Sequence, residues 1–415
     1  MTIYNRREIL ASLSALAVPV ARGANKHDPF IDKVDLFDAG EDGYSLYRIP
    51  GLATTRKGTV LAYCEARKSD RGDWGPIDIF LRRGENGGKS WSPRQKIADV
   101  PGQHTKNSVA LAQKLGNPED KTYNNPVAVT ERKTGDVHFM FCLEYMRCFY
   151  MKSRDDGKSF SEPIEITSVF EQFRSEYDWK VLATGPTHGI ELKNGRLLVP
   201  VWMSTGTGNH AHRPSVCSVI YSDDGGTKWQ RGEIAVTSVG ETLHPSETVV
   251  AELADGRVVL NVRTEAPPNR RVLTYSKDGA SGWSKPVFHD QLLEPVCNAA
   301  LVRLSAKPAS DRNRLLFSNP DNLTRADGKE KPGSNRDRKN LSVKLSYDEG
   351  QSWPVTKVLE PLHSGYSDLG VAPDGTILCL YERGGLENNS MKTAHLTVAR
   401  FNLEWLTDGK DSLRK

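Results

Sequence analysis

The sequence predicts an all-β repeat protein whose unit is a small antiparallel sheet. Two observations support this prediction: a turn motif that recurs at a nearly constant spacing, and alternation of apolar and polar residues on both sides of it. The clearest copy runs from Ser346 to Trp353 and follows the pattern Ser, any residue, Asp, any residue, Gly, two of any kind, Trp. Asp348 can accept hydrogen bonds from nearby amides, Gly350 can supply a positive φ, and Trp353 can pack beneath the turn.

Strand-like patterns flank this copy, and the motif recurs along the chain. Residues 341–345 and 354–358 alternate apolar and polar side chains, as strands do. Four further segments fit the motif in full or in part, namely Gly84 to Trp91, Ser153 to Phe160, Ser222 to Trp229 and Ser276 to Trp283. The third positions of the five copies are 86, 155, 224, 278 and 348, so successive copies lie 69, 69, 54 and 70 residues apart. Isolated Asp-Gly turns occur in any β protein, but five copies at this spacing favour a repeat architecture.

Length and composition favour a single globular domain over residues 30–410. A chain of 415 residues could hold two or three domains, yet a repeat protein grows by adding units, and no Pro-rich or Gly/Ser-rich linker divides this one. The chain has 37% hydrophobic and 26% charged residues, with Lys+Arg 56 against Asp+Glu 52. A net charge of +4 is too small to indicate a nucleic-acid partner. The surplus can instead lie in a pocket for an anionic substrate.

Residues 1–24 have the features of an export signal. Arg6 and Arg7 precede an apolar run over residues 13–21, and paired arginines suggest the twin-arginine route. The run is too short to span a bilayer stably. We therefore expect an exported protein, periplasmic or extracellular, with no integral membrane span. An ordinary amphipathic N-terminus is the alternative, and the cleavage site is left open.

The cysteines and histidines give no pattern of a metal site. All six cysteines stand singly in apolar surroundings, Cys379 among them, which favours buried thiols over disulfides or zinc ligands. His210 and His212 lie two residues apart but lack a third ligand. We therefore expect neither a metal nor a cofactor.

Several motifs taken together resemble the sialidase (neuraminidase) family of exo-glycosidases. They are Tyr47-Arg48-Ile49-Pro50, Glu65-Ala66-Arg67 before an Asp-bearing loop, and the repeated turn motif, which is the Asp-box of that family. The similarity extends from about residue 40 to residue 400. It implies a six-bladed β-propeller of four-stranded antiparallel sheets with Asp-box turns. It also implies a retaining exo-α-sialidase that acts on terminal sialic acid of glycans or glycoconjugates. The oligomeric state is left open.

The resemblance implies three arginines that bind the carboxylate of a sialic acid: Arg48, Arg263 and Arg338. A guanidinium group suits this task because it is planar, always charged and able to bond bidentately. Arg336 lies two residues before Arg338 and is an alternative for the third arginine. Glu382 is expected to support Arg48, because neighbouring cations repel one another.

The resemblance also implies that Tyr366 is the nucleophile, the known exception among glycosidases. A neutral phenol is not repelled by the carboxylate of the substrate, but with a pKa near 10 it needs a base within hydrogen-bond reach. Glu247 is implied as that base, although Ser246 stands where family members often have Asn. Attack by Tyr366 gives a covalent glycosyl-enzyme, which water resolves with net retention.

Asp73 is the implied general acid for the leaving group and general base for the water. Asp70 and Asp78 on the same loop are its competitors, and the family pattern, with its Asp shortly before an Ile-Asp pair, selects Asp73. Arg67 is expected to add a further contact to the sugar. His188 and three tryptophans, Trp74, Trp179 and Trp202, are candidate pocket walls.

Two other classes of function remain as alternatives. A non-catalytic carbohydrate-binding propeller predicts the loss of Tyr366, Glu247 or Asp73, and all three are present. A glycosidase of the same fold that acts on another nonulosonic acid, or a trans-sialidase, would retain them.

Overall fold

Strands form nearly all of the regular structure. The computed structural model describes residues 28–389 and 391–413, so the expected export signal over residues 1–24 lies outside the described residues. The described helices are short, namely α1 (Ser108–Ala112), α2 (Ser168–Glu171), α3 (Leu403–Leu406) and the 3-10 turns Glu41–Gly43 and Leu386–Asn388. None of these helices has the length and apolar character needed to cross a membrane. The all-β prediction is confirmed.

The strands follow one another along the chain as antiparallel units. Strand β1 (Ile31–Asp38) stands first and pairs with the last strand of the chain. The first unit is β2 (Leu46–Thr54), β3 (Val60–Arg67) and β4 (Ile77–Glu85), with β5 (Ser90–Trp91) and β6 (Gln95–Lys96) beside β4. The second unit is β7 (Tyr123–Thr130), β8 (Val137–Leu143), β9 (Arg147–Ser153) and β10 (Ile164–Glu165). The third unit is built from β11 (Val181–Thr184), β13 (Ile190–Glu191), β14 (Leu197–Ser204), β15 (Ser215–Ser222) and β16 (Gln230–Arg231). Strand β12 (Thr187–His188) pairs in parallel with β7 and joins the sheet of the second unit.

The remaining units share one long strand. The fourth unit is β17 (Thr248–Glu252), β18 (Val258–Val262), β19 (Arg270–Ser276) and β20 (Val287–Leu293). A seven-stranded sheet then contains β21 (Ala300–Ser305), β22 (Arg314–Pro320), β23 (Lys339–Ser346), β24 (Val355–Val371), β25 (Ile377–Gly385), β26 (Thr393–Phe401) and β1. Strand β24 pairs with β23 up to His363 and with β25 from Ser364 onwards. This sheet therefore consists of two four-stranded units, the second of which is completed by β1.

Apolar clusters fill the spaces between consecutive units. Tyr63 of the first unit packs edge-to-face on Phe139 of the second, with ring centroids 5.1 Å apart. A separate cluster joins Leu52 of the first unit to Leu380 of the last, so the units form a closed series. Because each sheet is covered on both faces, its inner strands read as continuous apolar runs rather than alternating ones. Strand β18, Val-Val-Leu-Asn-Val, is buried at every position.

The repeated turn motif has the structure that the sequence predicts. Asp348 accepts hydrogen bonds from the amide of Ser352 at 2.8 Å and from its hydroxyl at 2.6 Å. Gly350 has a φ of 83° and donates its amide to the hydroxyl of Ser346 at 2.8 Å. Each of the five copies follows the third strand of its unit and leads into the outermost strand. The last unit takes β1 from the other end of the chain as its outermost strand, so it has no place for a sixth copy.

Candidate active site

A bulge in β24 fixes the position of Tyr366. The pairing of β24 with β25 shifts between Ser364 and Ser367, and the amide of Tyr366 donates to Glu382 Oε2 at 3.1 Å. Gly365 cannot carry a side chain, because a Cβ atom there would stand 2.1 Å from the same carboxylate oxygen. The bulge therefore needs both the glycine and the glutamate.

The hydroxyl of Tyr366 contacts a carboxylate and a guanidinium group. It donates to Glu247 Oε1 and accepts a hydrogen bond from Arg263 Nη1 at 2.8 Å. Arg263 Nη1 also donates to Glu247 Oε2. Glu247 immediately precedes β17 and Arg263 immediately follows β18, and these two strands pair with each other. One hairpin therefore places the carboxylate and the cation in contact with each other and with the phenol oxygen.

Tyr366 is a neutral phenol in this environment. Burial raises its pKa most, and although Arg263 and Arg338 lower the pKa, the charge of Glu247 raises it again, so the net pKa is well above 10. Tyr366 as a whole is 5% exposed. The oxygen can become a nucleophile only if its proton passes to a base, and Glu247 is the carboxylate in contact with it.

Arg48 is held by a buried carboxylate at the start of the first unit. Its Nε and Nη2 atoms donate to the two oxygens of Glu382 at 3.0 and 3.2 Å, and the amide of Ile49 donates to the same group at 3.2 Å. Burial raises the pKa of Glu382, but the charges of Arg48 and Arg338 outweigh burial and hold it below its usual value. Glu382 is therefore ionised and offsets part of the positive charge of the site.

Three guanidinium groups surround Tyr366. The Cζ atoms of Arg48 and Arg338 lie 5.5 and 5.1 Å from the centre of its ring, and Arg263 reaches its hydroxyl. Arg338 donates to the carbonyl of Val296 at 2.8 Å. Among the described residues, Arg338 Nη1 and Arg263 Nε are buried without a hydrogen-bond partner. These unused donors suit an anionic ligand above the ring.

Arg336 is directed away from this group. Its Nη2 atom donates to Asn269 Oδ1 at 3.0 Å, and its Nη1 atom donates to the carbonyl of Ser334 at 2.6 Å. Of the two arginines that the sequence leaves open, Arg338 is the one beside Tyr366.

Asp73 pairs with a buried arginine. Its Oδ1 atom lies 2.9 Å from Arg67 Nη1, and Arg67 donates through Nε and Nη2 to Glu65 Oε2 at 3.1 and 2.7 Å. The Arg67 side chain is only 2% exposed, whereas that of Asp73 is 40% exposed. Burial raises the pKa of Asp73, but Arg67 above all lowers it, and the net pKa is below its usual range. The structure thus places Arg67 as the support of Asp73.

The two competing aspartates of the loop are bound elsewhere. Asp70 pairs with Lys392 at 2.9 Å on the surface. Asp78 accepts a hydrogen bond from Tyr44 at 2.6 Å and pairs with Lys96 at 2.7 Å. Neither is linked to Arg67, so Asp73 is the loop carboxylate joined to the buried charges of the site.

An aromatic cluster beside Asp73 was only partly expected. The rings of Trp74 and Tyr145 lie 4.5 Å apart, and His212 lies 5.1 Å from Tyr145 and 5.2 Å from Trp202. His212 Nε2 is buried without a hydrogen-bond partner within the described residues. Burial lowers the pKa of His212, so this imidazole is neutral at pH 7. The sequence suggested Trp74 and Trp202, but nothing in it pointed to Tyr145.

His188 and Trp179 do not face this cluster. Trp179 packs in another core and donates its indole NH to the carbonyl of Phe170 at 2.9 Å. His188 bonds Asp368 at 2.7 Å and lines a separate cavity of about 460 Å³ between the innermost strands. On β24 that cavity is lined by residues 369–371, beyond Tyr366, so it lies at the other end of the same strands.

Together, the fold and the site define an all-β repeat protein in which a tyrosine–carboxylate pair is surrounded by arginines. The family model described as a BNR repeat-like domain matches residues 58–379. The sialidase of Micromonospora viridifaciens is 29% identical over 91% of this chain and 55% of its own length. Sialidase-3 of Mus musculus is 29% identical over 86% of this chain and 92% of its own. The solved structure of the Hadza microbial sialidase Hz136 is 26% identical, with a TM-score of 0.69 over 89% of this chain and 68% of that one.

The chain belongs to the BNR repeat-like family, and the resemblance to sialidases is confirmed. It spans 55% of the Micromonospora viridifaciens relative and 64% of the sialidase of Bacteroides fragilis. An intramolecular trans-sialidase from Ruminococcus gnavus has a TM-score of 0.68 at 18% identity, which is a likeness of fold alone.

Proposed function

We propose that this protein is a retaining exo-glycosidase that hydrolyses terminal α-linked sialic acid from glycans or glycoconjugates. One observation carries the proposal: the hydroxyl of Tyr366 contacts both Glu247 and Arg263, and the guanidinium groups of Arg48 and Arg338 lie over its ring. Three cations suit a substrate that carries a carboxylate on its anomeric carbon. A phenol in contact with a carboxylate suits a nucleophile that must not repel that substrate.

The first half of the reaction forms a tyrosyl intermediate. The three arginines bind the substrate carboxylate and set the anomeric carbon above the ring of Tyr366. The phenol oxygen attacks this carbon while its proton passes to Glu247, which is already in contact. The bond to the leaving-group oxygen breaks, and that oxygen takes a proton from Asp73.

The second half restores the enzyme. Asp73 takes a proton from water, the hydroxide oxygen bonds to the anomeric carbon, and the bond to Tyr366 breaks. Glu247 returns its proton to the phenol oxygen. Two displacements at one carbon leave its configuration unchanged.

The protonation of Asp73 is the demanding step of this scheme. Its pair with Arg67 keeps the carboxyl ionised in the free enzyme, so the acid form has to arise with substrate bound. A sugar that covers the 40% exposed side chain excludes water and raises the pKa of the carboxyl. Activity is therefore expected to fall as the pH rises above the pKa of Asp73 in the complex.

The same proposal extends to the whole chain. The four-stranded units are the blades of a six-bladed β-propeller, which forms one domain over residues 30–410. Residues 1–24 form a twin-arginine export signal that directs the protein to the periplasm or outside the cell. The closed series of apolar clusters supports the propeller, and the paired arginines of the sequence support the export signal.

Hydrolysis of the α-N-acetylneuraminic acid glycoside of 4-methylumbelliferone tests the function. We expect the wild type to release the fluorophore and Tyr366→Phe to lose about a thousandfold in kcat. Tyr381→Phe is the matched control, because Tyr381 is also buried but packs in the apolar cluster between the last two units. A 2,3-difluorinated sialyl fluoride should leave a covalent adduct on Tyr366 that is found by peptide mass spectrometry.

The products separate the remaining functions. Free sialic acid, formed first as the α-anomer by NMR, supports a retaining hydrolase. A transferred or anhydro sugar would instead indicate a trans-sialidase. Binding of sialosides without any turnover would indicate the carbohydrate-binding alternative.

A further inference from the structure

Lys106 is a buried cation that contacts the loop of Asp73 rather than the substrate site itself. It lies between β6 and β7, just before α1, and is 4% exposed. Its Nζ atom donates to the carbonyl of Trp74 at 2.7 Å and to that of Asp120 at 3.1 Å. It also donates to the hydroxyl of Thr122 at 2.7 Å and lies 2.9 Å from Glu144 Oε2. All three ammonium protons are therefore used.

Thr122 links Lys106 to the carbonyl of the next residue of the loop, Gly75. Its hydroxyl accepts from Lys106 and donates to the carbonyl of Gly75 at 2.7 Å. The carbonyls of Trp74 and Gly75, the two residues after Asp73, are thus both bonded to the buried pair of Lys106 and Thr122. Gly116 packs against the same carbonyl and leaves no room for a side chain, because a Cβ atom there would stand 2.4 Å from the carbonyl oxygen of Trp74.

The two ends of the loop differ in how firmly they are held. At one end, Arg67 binds the side chain of Asp73 and Lys106 binds the peptide after it, both through buried cations. At the other end, the Asp70 carboxylate, itself 54% exposed, pairs with Lys392 on the surface. Exposed pairs of this kind contribute little to stability. The buried end is therefore the one that sets where Asp73 stands.

We propose that Lys106 is a positioning residue that fixes the peptide at Trp74, so that the carboxyl of Asp73 meets the leaving-group oxygen. The inference rests on the function proposed above. A buried ion pair is weak support for stability, since an apolar pair of the same volume often serves as well. The Lys106 ammonium group instead donates to the Asp73 loop and to Thr122, which itself bonds that loop. These contacts suit a positioning role, because displacing a catalytic group by 1 Å can cost about a hundredfold in rate.

The leaving group distinguishes this role from a merely structural one. A phenol such as 4-methylumbelliferone departs as an anion without a proton, whereas a sugar alcohol needs the proton of Asp73. A variant that displaces Asp73 should therefore lose kcat/KM, which reports the first half of the reaction, on sialyllactose while keeping it on the aryl glycoside. A variant that merely loosens the fold should lose activity on both.

The test compares kcat/KM of Lys106→Met on the two substrates, because kcat/KM reports the steps up to departure of the leaving group and leaves out the hydrolysis of the tyrosyl intermediate, which both substrates share. We expect kcat/KM for sialyllactose to fall about tenfold to a hundredfold and kcat/KM for the aryl glycoside to change by less than about threefold. Combining Lys106→Met with Asp73→Asn should give no further loss on sialyllactose beyond Asp73→Asn alone. Lys344→Met is the control, because Lys344 is similarly buried but pairs with Asp321 at 3.0 Å in the fifth unit, and it should leave both rates unchanged.

Thr122→Val keeps the proposal testable if Lys106→Met does not fold, because the change removes only a hydroxyl from a buried side chain. The same selective loss on sialyllactose is expected, with a smaller magnitude. Equal losses on both substrates, or no loss on either, would overturn the positioning role while leaving the proposed function intact. A wild type inactive on both sialosides would overturn the two together.

Discussion

At the residue scale, two carboxylates and two guanidinium groups form pairs around one neutral phenol. Glu247 lies against the hydroxyl of Tyr366 together with Arg263, and Glu382 lies behind the ring with Arg48. Each carboxylate thereby offsets one guanidinium group. Arg338 has no carboxylate partner within hydrogen-bond distance among the described residues, since it donates only to the carbonyl of Val296. It is therefore the guanidinium group whose positive charge is least offset by a carboxylate of the protein, and that charge is available to a substrate.

We expect Arg338→Lys to raise the KM for the aryl sialoside about tenfold or more, with a smaller effect on kcat. Lysine keeps the charge but loses the planar pair of donors that matches a carboxylate. Arg336→Lys is the matched control, since Arg336 bonds Asn269 and Ser334 instead, and its KM should stay within about twofold of the wild type. Steady-state kinetics on both variants decide the matter, and a larger effect at position 336 would reverse the assignment.

The sequence motifs predicted the charged residues of the candidate site but not the residues that surround them. Short motifs identified Arg48, Glu247 and Tyr366, because their immediate neighbours follow a family pattern. Tyr145 and Lys106 lie in segments without such a pattern, and they contact Trp74 of the Asp73 loop only because the second unit folds beside the first. A contact between distant segments leaves no local signal in one sequence.

At the element scale, irregular backbone positions lie next to the site residues. The pairing of β2 with β3 shifts between Arg48 and Gly51, where Ile49 has a φ of 57°. Val296, whose carbonyl holds Arg338, has a φ of 64°. Positive φ in a β-branched residue is strained, and such strain persists only where surrounding contacts enforce it. The period of the turn motif predicted the regular strands, but it could not predict these departures from them.

The turn motifs predict how stability depends on pH. Asp278 accepts hydrogen bonds from the amides of Ala280 and Ser281 at 2.9 and 2.8 Å. Burial raises its pKa, but these bonds lower it to about 2. A folded pKa below the unfolded value of about 3.9 means that the stabilisation is present above about pH 4 and is lost as the pH falls towards 2.

We therefore expect Asp278→Asn to cost at most about 1 kcal/mol at pH 7, since this side chain is 47% exposed and the bonds are partly screened. The difference from the wild type should shrink as the pH falls below 4. Urea unfolding at pH 7, 4 and 2 measures it. Asp99→Asn removes a carboxylate that is 84% exposed and serves as the control. A cost that grew towards pH 2 would contradict the linkage.

At the scale of the whole molecule, the first and last strands complete one unit. Strand β1 pairs with β26 from Ile31 with Phe401 to Asp38 with His395. Leu36 and Phe37 of β1 enter the cluster that joins the last unit to the first. The turn motif occurs five times in the sequence, whereas the described strands form six units, and this pairing explains the difference. The missing copy is replaced by a strand from the opposite end of the chain.

We expect removal of residues 1–38 to lower the unfolding temperature by about 10 °C or more, because β26 becomes an open edge and the cluster between the last and first units loses two buried side chains. Removal of residues 1–24 alone is the control and should leave the midpoint unchanged, since β1 is retained. Thermal unfolding followed by circular dichroism measures both. Sialoside hydrolysis should fall with the first deletion, because Arg48 and Glu382 lie on the two units that β1 joins, and their 3.0 Å contact depends on how those units meet. Equal midpoints for the two deletions would show that the units hold together without the closing strand.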